Sequence, residues 1–302
     1  MTTSVTSPRT VTQRYSADKI AEYYASGEWL PDSFYASAVA QAAARPDKVY
    51  VFDSTTSLTF GQFRESALRL AVGLKRLGVD KGDRVAAQLP NWTEFPVIAA
   101  AVSRIGAIIV PIMPIYRAHD VGYVLQNSGA VVGFTADEFR GFGHAQMFHE
   151  LREQAPGLRH IVAVRPGAAF DPAVSTAYAD LLATGELADL EVEAGPDSSP
   201  DDGFQIVYTS GTTSRPKGCY HTLNTVRSSA VQIARSLKYT ENDVQFGPSP
   251  ITHSTGLVTS VLMPLLTGAS SHFMEVWDPE EGLRRIKTVS YTHLTLPTNR
   301  EV

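Results

Sequence analysis

One cysteine, Cys219, is all that the 302-residue sequence contains. A disulfide framework is therefore excluded, and a reducing, cytoplasmic setting is expected. Long hydrophobic runs are also scarce. The longest apolar stretches, Phe95 to Val102 and Ile105 to Ile115, are split by Ser103 and Arg104 and carry prolines. Neither approaches the roughly 20 residues of a membrane-crossing helix. Positive charge is in deficit: 26 Lys and Arg face 31 Asp and Glu, for a net charge of −5, so no basic field invites nucleic acid. Met1 to Arg14 contains no acid, as in a transit peptide, but it also has no secretory apolar segment and reads as an unstructured tail. No G-x-S-x-G elbow exists to anchor serine hydrolysis. His149-Glu150 opens like a zinc-protease motif, yet Glu153 stands where the second histidine belongs. Gly141-Phe142-Gly143 opens like a dinucleotide loop, yet Gln146 replaces its last glycine.

Hydrophobic residues make up 43% of the chain, ample for a core in one large or two modest domains. Their spacing predicts strands alternating with helices. Helices are expected over Asp18–Leu30, Ser33–Ala44, Phe63–Leu77, Thr93–Ile105, His119–Asn127, His144–Gln154, Thr222–Leu237, Thr255–Leu266 and Pro279–Ile286. Thr59 and Gln62 fit a capping box before the third of these, and Gly78 fits its stop. Strands are expected over Val49–Asp53, Asp83–Leu89, Ile108–Val110, Ala130–Phe134, Ile161–Val164, Phe204–Val207, Val244–Phe246 and Ser271–Met274, with Ser54–Leu58 as a turn. This rhythm argues for an α/β fold of mostly parallel sheets covered by helices on both faces. Ala168 to Gly203, acidic and rich in Pro, Gly and Ser, breaks it. The expected organisation is a tail and short helix over 1–30, a first α/β subdomain over 31–170, a junction over 171–203 and a second subdomain over 204–288. Residues 289–302 show no helical periodicity and read as a foreign or exposed tail.

The stretch with the most chemistry is Tyr208 to Gly218, YTSGTTSRPKG. Thr209, Ser210, Thr212, Thr213 and Ser214 crowd around Gly211, and Lys217 follows. A hydrophobic core has no use for this composition, whereas freed backbone N–H groups, hydroxyls and an ammonium converge well on a phosphate chain. The spacing differs from G-x-x-x-x-G-K-[ST], because Pro216 and Gly218 occupy the places of its second glycine and its hydroxyl. A Ser/Thr/Gly turn joining two elements is the alternative. Cys219 reads as a small packing residue, not a nucleophile.

This stretch resembles the phosphate-loop signature TSGTTG-x-PKG of the adenylate-forming superfamily, which includes acyl- and aryl-CoA synthetases, adenylation domains and luciferases. Ser214 stands at that signature's second glycine. Further blocks are similar to acyl-CoA synthetases in the same order: the LTFGQF…GDRVAAQLPN segment from Leu58, GAIIVPIMPIYRAHD from Gly106 and GPSPITHSTGL from Gly247. The resemblance runs from about Phe34 to about Ile286 and implies the N-terminal domain of the adenylate-forming fold, with an incomplete phosphate-loop subdomain over 204–288.

The resemblance also implies an activity: ATP-dependent conversion of a carboxylic acid to an acyl-adenylate, then to a CoA thioester, with ATP, Mg²⁺ and CoA as cofactors. Thr209, Ser210, Gly211, Thr212, Thr213, Ser214 and Lys217 would hold the phosphates. Lys217 and Thr212 would carry catalysis, Thr213 would serve the metal, and His253 would sit beside the substrate carboxylate. His221 and Asn224 are expected to cap and pack around the loop. The acid implied is fatty-acid-like or alicyclic, as in fatty-acid, alicyclic-acid or carnitine-type ligases. Family members are longer, and their adenine-stacking segment, ribose aspartate, hinge and C-terminal domain have no place here. The chain is thus expected to be inactive alone. A non-catalytic nucleotide-binding fragment and a carrier-loading adenylation domain are the alternatives.

Overall fold

The computed structural model describes residues 14–168, 170–209, 215–288, 291 and 293–294. Two sheets organise them. The larger draws on β3 (Arg84–Gln88), β4 (Ile108–Ile112), β5 (Ala130–Ala136), β8 (His160–Val164), β9 (Thr176–Ala177), β10 (Gly203–Tyr208) and β11 (Gly218–Thr222). The smaller draws on β1 (Val49–Phe52), β2 (Ser57–Thr59), β12 (Val244–Gly247), β13 (Ser270–Phe273) and β14 (His293–Leu294). A separate two-stranded ribbon pairs β6 (Glu138–Phe139) with β7 (Phe142–Gly143).

In the large sheet the order is β11-β10-β4-β3-β5-β8-β9; in the small one it is β14-β12-β13-β1-β2. All neighbours run parallel except β10 with β11 and β1 with β2. Each sheet is thus parallel inside with an antiparallel strand at one edge, an arrangement that keeps the parallel strands covered.

The packing explains why β3 and β4 read as unbroken apolar runs. Val85, Ala87 and Ile109 face a core shared with helices Phe34–Ala44, Phe60–Arg76 and Glu94–Arg104 and with the small sheet. Ala86 and Val110 face the opposite way, into a core with helices Ala118–Ser128 and His144–Glu150. Buried on both sides, such strands have no polar face to alternate with. The chain crosses between the sheets: β1 lies beside β13 from the far end of the chain, and β10 lies beside β4.

Most expected elements form where the pattern places them. Thr59 Oγ1 accepts from Gln62 N at 3.2 Å while Gln62 Oε1 accepts from Thr59 N at 2.9 Å, closing the expected capping box. Several features differ, four of them as follows. Ser57–Thr59, at the end of the expected turn, is strand β2. Leu187–Ala194, inside the expected junction, is a helix that turns Leu190 and Ala194 into the core. Gly218–Thr222 is strand β11, paired with β10, so the following helix starts at Leu223 with Thr222 as its cap. The helix expected over Thr255–Leu266 is a short α-turn, Ser254–Gly256, a π-helical stretch, Leu257–Leu262, and a further α-segment, Met263–Thr267. Pro264, which has no N–H to give, interrupts the hydrogen-bond ladder there.

Candidate functional site

A cleft of about 330 Å³ opens at the carboxyl ends of β4 and β10. Ligands of open α/β sheets settle at this kind of position, where parallel strands release their chains into loops. One wall is the turn after β4, with Met113 and Tyr116. The other is the segment that ends in Thr252 and His253. Val207 and Thr209 close the base.

Thr209 and Lys217 meet across the mouth of the β10–β11 hairpin. Thr209 N donates to Lys217 O at 3.1 Å, and Lys217 N donates to Thr209 Oγ1 at 3.3 Å. The helix Ala118–Ser128 braces this stem. Tyr123 Oη donates to Pro216 O at 2.9 Å, Tyr208 Oη donates to Asn127 Oδ1 at 2.7 Å, and the two rings meet edge to face at 6.2 Å. Gly218 lies opposite Tyr208, where a Cβ would press on Ile206 and the Tyr208 ring. The side chains of Thr209 and Lys217 stay exposed. Ser210, Gly211, Thr212, Thr213 and Ser214, the remaining expected phosphate ligands, lie outside the described residues.

His253 is exposed and lines the cleft. Its Nδ1 accepts from Thr255 N at 3.3 Å, capping the helical turn that follows. A neutral ring held this way carries its proton on Nε2, directed away from the cap. Gly256 follows at a tight approach, since a Cβ there would collide with the Pro250 carbonyl. Thr252, 3% exposed, has a hydroxyl without a protein partner among the described residues.

Two buried amides at the end of β3 stand behind the walls. Gln88 Nε2 donates to Met113 O and Tyr116 O, each at 3.0 Å. Asn91 Nδ2 donates to Ser249 O at 3.0 Å and Met274 O at 2.9 Å, and its Oδ1 accepts from Ile251 N at 2.9 Å. Sequence reasoning passed over both. The signal was two amides in four residues, Gln88-Leu89-Pro90-Asn91, closing a strand otherwise made of apolar residues.

The partners of Asn224 and His221 among the described residues lie outside the hairpin stem. Thr222 is the helix cap. Asn224 is fully buried and grips the N-terminal segment: Oδ1 accepts from Leu30 N at 3.1 Å, and Nδ2 donates to Tyr24 Oη at 3.0 Å. His221 lies on β11 opposite Gln205, and burial, aided by nearby Arg14, holds its pKa below the ordinary histidine value. Among the described residues no group of three or more His, Cys, Asp or Glu that could hold a metal ion forms, at His149 and Glu150 or elsewhere.

The site fits an anionic chain better than a protein-caged metal. Thr209, just past the end of β10, lines the cleft, and Lys217 is its hydrogen-bonded neighbour on the hairpin. Magnesium typically keeps several waters and takes one or two protein ligands together with substrate phosphates. Among the described residues no helix is long and apolar enough to cross a membrane.

Comparison with known proteins agrees with this geometry. The family described as AMP-binding enzyme matches residues 39–299. The medium-chain fatty-acid–CoA ligase of Escherichia coli K12 is 32% identical over 275 residues, 90% of this chain and 47% of its own length. The salicyl-AMP ligase / salicyl-S-ArCP synthetase of Mycobacterium tuberculosis is 30% identical over 283 residues, 90% of this chain and 48% of its own. The apo structure of MbtA from Mycobacterium smegmatis superposes with a TM-score of 0.81 at 27% identity, covering 93% of this chain and 51% of that one. The chain spans about half the length of the curated relatives it matches.

Proposed function

The chain belongs to the AMP-binding enzyme family, and from that premise we propose that the full-length protein activates a carboxylic acid with ATP and transfers the acyl group to CoA. The observation that carries this reading is the cleft lined by both Thr209 and His253, with Lys217 bonded to Thr209 across the hairpin mouth.

A carboxylate is a poor electrophile. Its oxygen attacks the α-phosphorus of ATP, the bond to the β-phosphate breaks, and pyrophosphate leaves. Negative charge grows on phosphate oxygens as this happens, so fixed donors and cations near them lower the barrier. Lys217 is the cation. Thr209, with Ser210, Gly211, Thr212, Thr213 and Ser214, supplies hydroxyl and backbone donors to the phosphates. Thr212 acts with Lys217 in catalysis, and the hydroxyl of Thr213 serves Mg²⁺. His253 Nε2–H is the donor that orients the acid. In the second half-reaction the CoA thiolate attacks the acyl carbonyl and AMP departs. Ile112, Met113, Val124 and Val207 give the cleft apolar walls, which suits a fatty-acid-like or alicyclic acid. A carrier-bound thiol in place of CoA is the second reading, favoured by the similarity to salicyl-S-ArCP synthetase.

Acid-dependent release of pyrophosphate and formation of AMP by the complete gene product test the reaction. Lys217→Ala should lower kcat/KM for ATP by about 10²- to 10³-fold, the usual loss when one transition-state donor is removed. An unchanged rate would sink the loop assignment. Calorimetry on the 302-residue chain separates ligase from fragment: nucleotide binding without turnover supports a non-catalytic fragment, and turnover with no partner chain refutes it.

A further inference from the structure

Neither wall of the cleft is held by a strand ladder. Residues 113–117 and 248–253 are irregular, so their placement depends on side-chain bonds from elsewhere. Those that reach the walls from outside come from the end of β3, the strand seated between β4 and β5 in the large sheet, and the turn after it; within the first wall Arg117 Nη1 also donates to Pro114 O and Tyr116 O.

Gln88 is wholly buried, and both amide protons go to the first wall, on Met113 O and Tyr116 O. Its Oε1 faces His144 Nδ1 at 3.3 Å. His144 is 1% exposed, and burial, then the charge of Arg117, lowers its pKa to about 4, so the ring is neutral in ordinary buffer. A neutral ring donating from Nδ1 admits only one orientation of the Gln88 amide, oxygen toward the histidine and nitrogen toward the turn. The flipped amide would set an acceptor against two carbonyls. Asn91 does the same for the second wall. It joins Ser249, Ile251 and Met274, and Thr252 and His253 follow at once in the chain.

We propose that Gln88 and Asn91 are specificity-determining positioning residues, which hold the two walls at a fixed separation and so decide which acids the cleft admits. The proposal rests on the reading of the cleft as the acid site. Each amide grips one wall alone, so loosening either should widen the space without touching His253 or the Thr209–Lys217 stem.

The test is binding of decanoate and of cyclohexanecarboxylate to the 302-residue chain, by titration calorimetry, for wild type, Gln88→Met and Asn91→Ser. Gln88→Met keeps the volume and loses both donors. Asn91→Ser shortens the grip on the other wall independently, so folding of either variant suffices, with melting temperature as the control. In a folded variant the ratio of the two Kd values should change fivefold or more. A smaller change, with both affinities weakening together, overturns the proposal, as does a wild-type chain that binds neither acid. Pyrophosphate release by the complete gene product is read separately. Release with an unchanged Kd ratio removes the wall assignment and leaves the ligase reading intact; a changed ratio without release does the reverse.

Discussion

A guanidinium withdrawn from water needs acceptors close by, and Arg227 finds three. Nη1 donates to Asp32 O at 2.7 Å, and Nη2 donates to Leu30 O and Asn224 Oδ1, each at 2.6 Å. Burial lowers its pKa to about 10, which still leaves the group charged at neutral pH. Arg227→Met would keep much of the volume and remove three charge-assisted hydrogen bonds, leaving Asn224 Oδ1 only Leu30 N, at a cost of about 3 kcal/mol. Urea unfolding should show that loss; a change under 1 kcal/mol would mean that water reaches the site. Residues of this kind were not legible beforehand. Asn224 stands near the phosphate loop in sequence, yet beside Arg227 and Asp201 its partners include Leu30 and Tyr24, some 200 positions away. Thr209 and Lys217 drew notice because their types are unusual for a core, and His253 through the resemblance of its block alone. Gln88 and Asn91 were not, because a buried amide and a solvated one are spelled alike.

Local signals determine single elements well and paired elements poorly. The helix Phe60–Arg76 begins where Thr59 and Gln62 announce it, since both bonds of a capping box lie within four residues. Thr59→Ala should destabilise the protein by about 1 kcal/mol, measurable as a shift in urea midpoint with an unchanged slope. Strand β11 is the contrary case. Gly218-Cys219-Tyr220-His221-Thr222 has no strand pattern of its own, and it is extended because β10 offers it a partner. The short helix Leu187–Ala194 is likewise fixed from outside. Glu191 accepts from Tyr35 Oη at 2.6 Å and from Arg104 Nη2 at 3.2 Å, and is also bound by Arg64. The π-helical stretch after His253 needs both Pro264 and the packing around it, of which the sequence displays only the proline.

Two buried histidines give the whole molecule a pH dependence with a definite sign. Burial, the larger cause, lowers the pKa of His144 to about 4, with Arg117 assisting, and that of His272 to about 4, with Arg285 assisting. In the unfolded chain both titrate near 6.5. Between those values the unfolded chain binds protons that the folded one refuses, so stability is full above about pH 6.5 and declines as the pH falls toward 4. Each histidine contributes about 1.4 kcal/mol per pH unit in that interval. Unfolding by urea at pH 7 and at pH 5 should therefore differ by about 2 kcal/mol per histidine, and His144→Gln should remove about half of the combined decline. A flat profile would contradict the burial of both rings.

The pairing of Val51 with Ser271 sets a clock on biosynthesis. At roughly 5–20 residues per second, a ribosome needs on the order of 10 to 40 seconds to deliver the partner of the first strand. The stretch from Arg84 to Val164, which holds the four middle strands of the large sheet that arise in one run, is out of the exit tunnel long before. The nascent chain would thus ripen in two halves, one early and one late, with the first hairpin waiting, its bare edge open to any chaperone that recognises unclaimed backbone.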